Sequence, residues 1–132
     1  MSDLIISRSA SIADAPPAPA APPTLSLAAL TPRLGSKDIA VIRQIAPARV
    51  DGPAHSHDRD EVMIMLEGTL SVEADGTVES LNSGDAVLVP AGTTHQLKNA
   101  GSEDAQWVTV SRAGIRFFVP GGDEVPAPEW AQ

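Results

Sequence analysis

The chain contains no cysteine and no tyrosine. Without cysteine there is no disulfide framework, no thiolate ligand and no thiol nucleophile, so any metal must be held by nitrogen and oxygen. Without tyrosine no phenol can act as an acid, base or radical site, and proton transfer falls to carboxylates, histidine or metal-bound water. Aromatic residues of all kinds make up only 3% of the 132 residues. Positive charge is also scarce, since nine Lys and Arg against 17 Asp and Glu leave a formal net charge of -8. The basic residues are scattered singly, so nothing here could neutralise a run of phosphates, and neither nucleic acid nor an anionic membrane is an expected partner. No apolar run approaches the length of a membrane-spanning helix. The N-terminal "MSDLIISRSASIADAPPAPAAPP" has a short apolar patch but lacks the basic start, long apolar core and cleavage site of a signal peptide, so the expected location is the cytoplasm.

What is present fits one domain. Residues 1–24 are rich in Ala, Pro and Ser, and the five prolines between Ala15 and Pro23 exclude a helix or a central strand. A flexible or polyproline-like arm is expected, with a sharper alternative in which Leu4 to Ile6 add a strand to a neighbouring subunit. Residues 25–132 are expected to form a β-barrel domain ending in a tail over 120–132. Short apolar runs are broken there by Gly, Pro, Asn and Asp every 8 to 12 residues or so, the punctuation of an all-β sandwich or barrel. Candidate strands cover 38–46, 61–68, 69–74, 77–81, 85–90, 95–99, 106–112 and 115–120. Only "SLAALTPRLG" could hold a helical turn. Eight short strands with hairpin-length links predict a double-sheet jelly roll.

The chain has three histidines, and their spacing carries the chemistry. In an extended segment residues i and i+2 share a face, so His55 and His57 point the same way. Glu61, Met63 and Met65 have the same parity if the strand resumes after the polar "DRD" turn. The third histidine, His95, follows the turn "PAGTT" and opens the next strand, where an antiparallel pairing could bring it beside the first two. Three neutral imidazoles and a carboxylate partly neutralise a divalent ion and leave coordination positions open, which suits Fe, Mn, Ni, Co, Cu or Zn.

These residues resemble the two motifs of the cupin superfamily. "HSHDRDEVMIMLEG" is similar to the first, H-x-H-x3-E-x6-G, through His55, His57, Glu61 and Gly68. "GDAVLVPAGTTHQLKN" is similar to the second, G-x5-P-x-G-x2-H-x3-N, through Gly84, Pro90, Gly92, His95 and Asn99. The resemblance implies a small single-domain cupin, a double-stranded β-helix or jelly-roll barrel, with His55, His57, Glu61 and His95 as metal ligands. In some cupins the glutamate is a base beside the metal, so Glu61 is also the candidate catalytic residue. One departure stands out: the glycine expected six residues before the first histidine falls on Arg49.

Dioxygenase, isomerase and lyase activities all occur on cupin barrels, and so do modules that bind without turnover. A partly open ligand shell favours a small-molecule enzyme, with a dioxygenase ahead of an isomerase or lyase. The absence of tyrosine weakens schemes that need a phenolic base. The expected substrate pocket comprises Met63, Met65, Gln44, Leu97 and Arg112, where an inward arginine could clamp a carboxylate; core packing is the alternative for the apolar members and a solvated face for Arg112. Asp58 and Asp60 read as turn residues, Asn99 as a residue satisfying backbone groups in a turn, and Trp107 and Trp130 as apolar packing. The resemblance also implies a homodimer that pairs through edge strands.

Overall fold

The computed structural model describes residues 4–8 and 24–128. Along residues 105–112 buried and partly buried side chains alternate, the two-residue period of a strand with one face on a core. The described residues form twelve strands: β1 (Leu25–Leu30), β2 (Ile39–Ala46), β3 (Val50–Asp51), β4 (Ser56–His57), β5 (Glu61–Glu67), β6 (Leu70–Ala74), β7 (Thr77–Leu81), β8 (Ala86–Val89), β9 (His95–Asn99), β10 (Ala105–Arg112), β11 (Phe117–Phe118) and β12 (Glu124–Val125). They form a five-stranded sheet in the order β1-β2-β10-β5-β8, a four-stranded sheet β3-β9-β6-β7 and a small sheet β12-β11-β4. The strand pairings are antiparallel, as an all-β jelly-roll barrel requires.

The two larger sheets enclose a core of Ala46, Met63, Met65, Leu70, Val72, Leu81, Val89, Ala105 and Trp107, with Val87 and Leu97 packed against it. Cross-strand register stacks this interior in layers. Trp107 lies opposite both Met65 and Gln44, and Thr109 opposite Met63 and Ile42. The polar members of the interior are tied to one another. Gln44 Oε1 accepts from Trp107 Nε1 (2.9 Å) and Thr109 Oγ1 (2.6 Å), while its Nε2 donates to Ser26 Oγ (3.0 Å). A half-buried amide with its partners in place costs little.

The helical turn that "SLAALTPRLG" could hold is present as a single 3-10 turn over Pro32–Leu34, while residues 25–30 form an additional strand that pairs with β2 from Leu25↔Ile45 onward. A sheet edge that can take a partner overrides the weak helical preference of so short a segment. The strand expected over 115–120 shrinks to Phe117–Phe118. Of the N-terminal arm, residues 4–8 are exposed and in no strand, with Ile5 packed near Gly35. Most of the arm, and Trp130, lie outside the described residues.

Turn chemistry is local and specific. Asp75 (φ 51) and Gly76 (φ 77) both occupy the left-handed region, as the two central residues of a type I′ hairpin between β6 and β7 must. Gly68 has φ 78, and a Cβ there would meet Asp104 O at 2.5 Å, so the β5–β6 link admits only glycine. Arg49 explains the missing motif glycine. It holds φ 64, the conformation that favours glycine, so the turn survives with an arginine in its place. Asn99 is 1% exposed and stitches three carbonyls, donating from Nδ2 to Ala46 O (3.0 Å), Pro47 O (3.1 Å) and Glu103 O (2.8 Å), while Gly101 N donates to its Oδ1 (3.0 Å).

Two substitutions test these positions by urea denaturation. Arg49→Gly relieves a left-handed arginine and stabilises by about 0.5–1 kcal/mol, net of glycine's greater unfolded entropy, whereas Arg49→Val destabilises. Asn99→Asp presents an oxygen where the carbonyls need a donor and costs about 2–4 kcal/mol. Equal midpoints for Arg49→Gly and Arg49→Val, or an unchanged midpoint for Asn99→Asp, would contradict this account.

Candidate metal centre

The first two histidines lie on and beside β4, and the third opens β9. Backbone pairing joins them: His55 N donates to His95 O (3.0 Å) and His95 N to His55 O (2.9 Å). On the other side β4 pairs with β11, His57 opposite Phe117. Glu61 starts β5 on the inward face, opposite Val89 of β8 and Ser111 of β10. Three separate stretches of chain thus meet at one end of the barrel.

The three rings face one another, with centroids 4.7 Å apart for His55–His57, 4.5 Å for His55–His95 and 5.5 Å for His57–His95. One nitrogen from each lies within 4.8 Å of the others, so the group is positioned to bind a metal. Each outer histidine is oriented by its own chain two residues back. His55 Nδ1 lies 3.0 Å from Pro53 O, and His95 Nδ1 3.0 Å from Thr93 O. Each Nδ1–H therefore donates to a carbonyl, leaving Nε2 unprotonated, the arrangement that orients imidazole ligands.

The donor set fits a divalent transition ion on a structural criterion. His57 Nδ1 and Nε2 and His95 Nε2 are buried and have no hydrogen-bond partner. Each unsatisfied buried nitrogen costs about 1–3 kcal/mol, and fold stability alone gives no reason to gather several in one place. An ion accepting their lone pairs does.

Glu61 is 8% exposed. Its Oε2 lies 3.1 Å from His57 Nε2, off the direction of a hydrogen bond, and its Oε1 lies 3.8 Å from His95 Nε2. The carboxylate touches two rings, while the mutually close group consists of the three histidines. Burial pushes the Glu61 carboxyl up, but the neighbouring His57 and His95 outweigh it and hold the group at about 2. Burial depresses His55, helped by the charges of the other two rings and opposed by its bond to Pro53. For His95 burial also acts downward, yet the Glu61 carboxylate and the Thr93 carbonyl raise it overall. Near neutral pH Glu61 is therefore an anion.

The acids after the first motif sort cleanly. Asp58 Oδ1 accepts from Arg116 N (2.8 Å) and Asp60 Oδ1 from Ala91 N (3.0 Å), so both tie loops that frame the centre, as turn residues should. Phe117, which the sequence did not single out, stands edge-on to His57 with centroids 4.5 Å apart and 6.3 Å from His55. It is one of only two phenylalanines, but nothing local says that its short strand pairs with β4. Ser111, opposite Glu61, was missed as well; the alternation Trp107, Thr109, Ser111 places it inward.

That alternation corrects one expected pocket residue. Arg112 falls on the opposite parity and is exposed, opposite Ile39 on the outer face, so it cannot clamp a ligand inside the barrel. Met63 (0% exposed) and Met65 (1%) are core, Leu97 packs against the core, and Gln44 spends its side chain on Trp107, Thr109 and Ser26. A small cleft of about 130 Å3 lies nearby, lined mainly by apolar residues such as Val72, Ala74, Val87 and Val89, with Thr77 and Glu79 at its polar side. Ala74 sits directly opposite His95 and Val89 directly opposite Glu61, so the cleft borders the centre.

The buried glutamate makes acid stability diagnostic. Its folded value of about 2 lies below the ordinary 4.5, so its contribution is complete above pH 4.5 and fades as pH falls towards 2, at most about 3 kcal/mol. Metal-free protein prepared with chelator should lose urea stability over that window. Glu61→Gln, which cannot titrate, should lose less; parallel curves would show that the carboxylate does not feel the rings.

Comparison with known proteins places this geometry. Auxin-binding protein 1 of Arabidopsis thaliana is 27% identical over 95 residues, covering 64% of this chain. The chain spans only 26% and 48% of the lengths of two curated relatives it matches. Among solved structures, a Cupin 2 conserved barrel domain protein from Salinispora arenicola superposes with a TM-score of 0.70 at 19% identity, covering 83% of this chain and 89% of that one. The polyketide cyclase RemF of Streptomyces resistomycificus gives 0.72 at 16% identity, over 94% and 89%. At such identities the likeness is one of fold. The cupin domain profile matches residues 41–111, more than half the sequence and every residue of the centre, and the chain belongs to the cupin family.

Proposed function

We propose that the protein binds one divalent transition ion (Fe, Mn, Ni, Co, Cu or Zn) through His55, His57 and His95 with Glu61 as fourth ligand, and acts as an enzyme on a small apolar molecule. The observation that carries this is the cluster of buried, unpartnered imidazole nitrogens beside an apolar cleft. Four protein donors leave positions free, the mark of catalytic rather than structural sites. A bound ion of this kind supplies Lewis acidity, and with a redox metal electron transfer to oxygen as well. A dioxygenase-like reaction is favoured over a metal-assisted isomerase or lyase, since the chain has no tyrosine to serve as base. Glu61 is a poor substitute: a carboxylate held at about 2 accepts a proton weakly. That supports its role as a ligand over a proton-transfer role.

The chain's own residues would shape the encounter. Val87, Val89 and Ala74 exclude water along the cleft, Phe117 packs over His57, and the Pro53 and Thr93 carbonyls keep two rings aimed inward. The net charge of -8 disfavours nucleic acid as a partner, and the reading is of a cytoplasmic homodimer working on an uncharged or aromatic-like substrate. Among the described residues no helix is long and apolar enough to cross a membrane. A second reading, ligand binding without turnover, draws support from the auxin-binding relative, whose name states a binding role.

Elemental analysis of protein purified without a metal-affinity column tests the centre. Close to one transition metal ion per chain is expected, falling at least tenfold in His57→Ala; substoichiometric metal in both would overturn the proposal. Oxygen uptake with small apolar substrates then separates the reactions. Full turnover under anaerobic conditions would exclude a dioxygenase, and saturable binding without turnover would favour the binding module.

A further inference from the structure

The three rings of the centre are not held alike. His55 and His95 each have a backbone carbonyl two residues back, that of Pro53 or Thr93, 3.0 Å from Nδ1. His57 has none: its Nδ1 is buried without a hydrogen-bond partner among the described residues. The His57 backbone is fixed on both sides, since Gly92 N donates to His57 O (2.7 Å) and β4 pairs with β11. Those bonds leave the ring free to turn about its own side-chain torsions. On the Nε2 side it meets Glu61 Oε2 at 3.1 Å, without the geometry of a hydrogen bond. Something other than a hydrogen bond must orient this ring.

We infer that Phe117 is a positioning residue, whose ring fixes the orientation of the His57 imidazole by packing, as the Pro53 and Thr93 carbonyls fix the other two by hydrogen bonding. The inference rests on the metal-centre reading above and adds to it a residue that is not itself a ligand. Phe117 and His57 are direct cross-strand partners. Their rings meet edge to face, with centroids 4.5 Å apart and planes at 74°, the favoured geometry of an aromatic pair. The hairpin around Phe117 keeps its ring there. Arg116 N donates to Asp58 Oδ1 (2.8 Å) and Asp58 N to Arg116 O (3.3 Å), which ties the start of β11 to the residue after His57. The Arg116 guanidinium donates twice to the Glu124 carboxylate (2.5 and 2.7 Å), joining β11 to β12. Both partners are substantially exposed, so this pair adds little global stability; its effect is local. Phe118 takes the opposite side of the same strand, with the Arg116 guanidinium 5.7 Å from its ring centre. One ring of the hairpin thus serves the histidine and the other the arginine.

Cobalt(II) titration of the metal-free full chain tests this, with affinity read by competition against a chelator and ligand geometry by the visible absorption of the bound ion. Phe117 is half-buried, and Phe117→Leu keeps apolar bulk while losing the flat ring. It should weaken cobalt binding about tenfold, the scale seen when a group that orients a metal ligand is removed, and shift the visible band. Phe117→Tyr keeps the ring and should restore both. Phe118→Leu makes the same change on the other side of the strand and should leave affinity and spectrum as in the wild type. That control separates positioning of His57 from stability of the hairpin. Equal affinity and spectrum in wild type and Phe117→Leu would overturn the positioning role alone, and so would an equal loss in Phe118→Leu. A wild type that binds no cobalt would overturn the metal reading and this inference with it.

Discussion

Two backbone hydrogen bonds, His55 N to His95 O and His95 N to His55 O, close the centre on itself. They hold in contact two segments that are forty residues apart in sequence. Everything else at this end of the barrel is arranged around that bridge. The β4–β11 pairing puts Phe117 beside His57, the Asp58 carboxylate accepts from Arg116 N, and Gly92 N donates to His57 O at 2.7 Å. Such long-range closures cost chain entropy, which the packed core must offset. The core is well placed to do so, since Met63 and Met65 continue inward from Glu61 on the same strand face.

The centre sets stability against function. Burying a carboxylate and several unpartnered imidazole nitrogens costs free energy that a purely structural interior would avoid by using apolar residues. Elsewhere the interior shows what avoidance looks like: the buried Asn99 and the half-buried Gln44 are polar, but their amide groups are partnered. The contrast between satisfied amides and unsatisfied rings sets the site apart without reference to any relative. The fold itself sets no reaction, since a polyketide cyclase and a protein named for binding auxin both resemble this chain.

The face that carries the candidate centre was legible in the sequence because a strand has a period of two. His55, His57 and Glu61 share parity, and so do Met63 and Met65. The same rule, applied from Trp107 through Ser111, would have sent Arg112 outward and drawn attention to Ser111. Other features were not legible, for physical reasons. Phe117 owes its place to a two-residue pairing with a distant segment, and no local propensity marks such a contact. β1 is built from Leu and Ala, which suit a helix, and becomes a strand only because β2 has a free edge. Arg49 looked like a lost turn, yet the turn persists at φ 64, because a position that favours glycine can tolerate another residue at modest cost.

β5 shows how far the two faces of one strand can constrain its sequence. Its inward side must supply Glu61 to the centre and Met63 and Met65 to the core, while its outward side carries Val62, Ile64 and Leu66. A strand facing solvent on one side would alternate apolar with polar; "VMIML" does not alternate. The uninterrupted run therefore holds two pieces of information that parity alone separates. One half belongs to the barrel interior and to the histidine group positioned to bind a metal. The other half, Val62, Ile64 and Leu66, faces outward, which is why the run does not alternate apolar with polar.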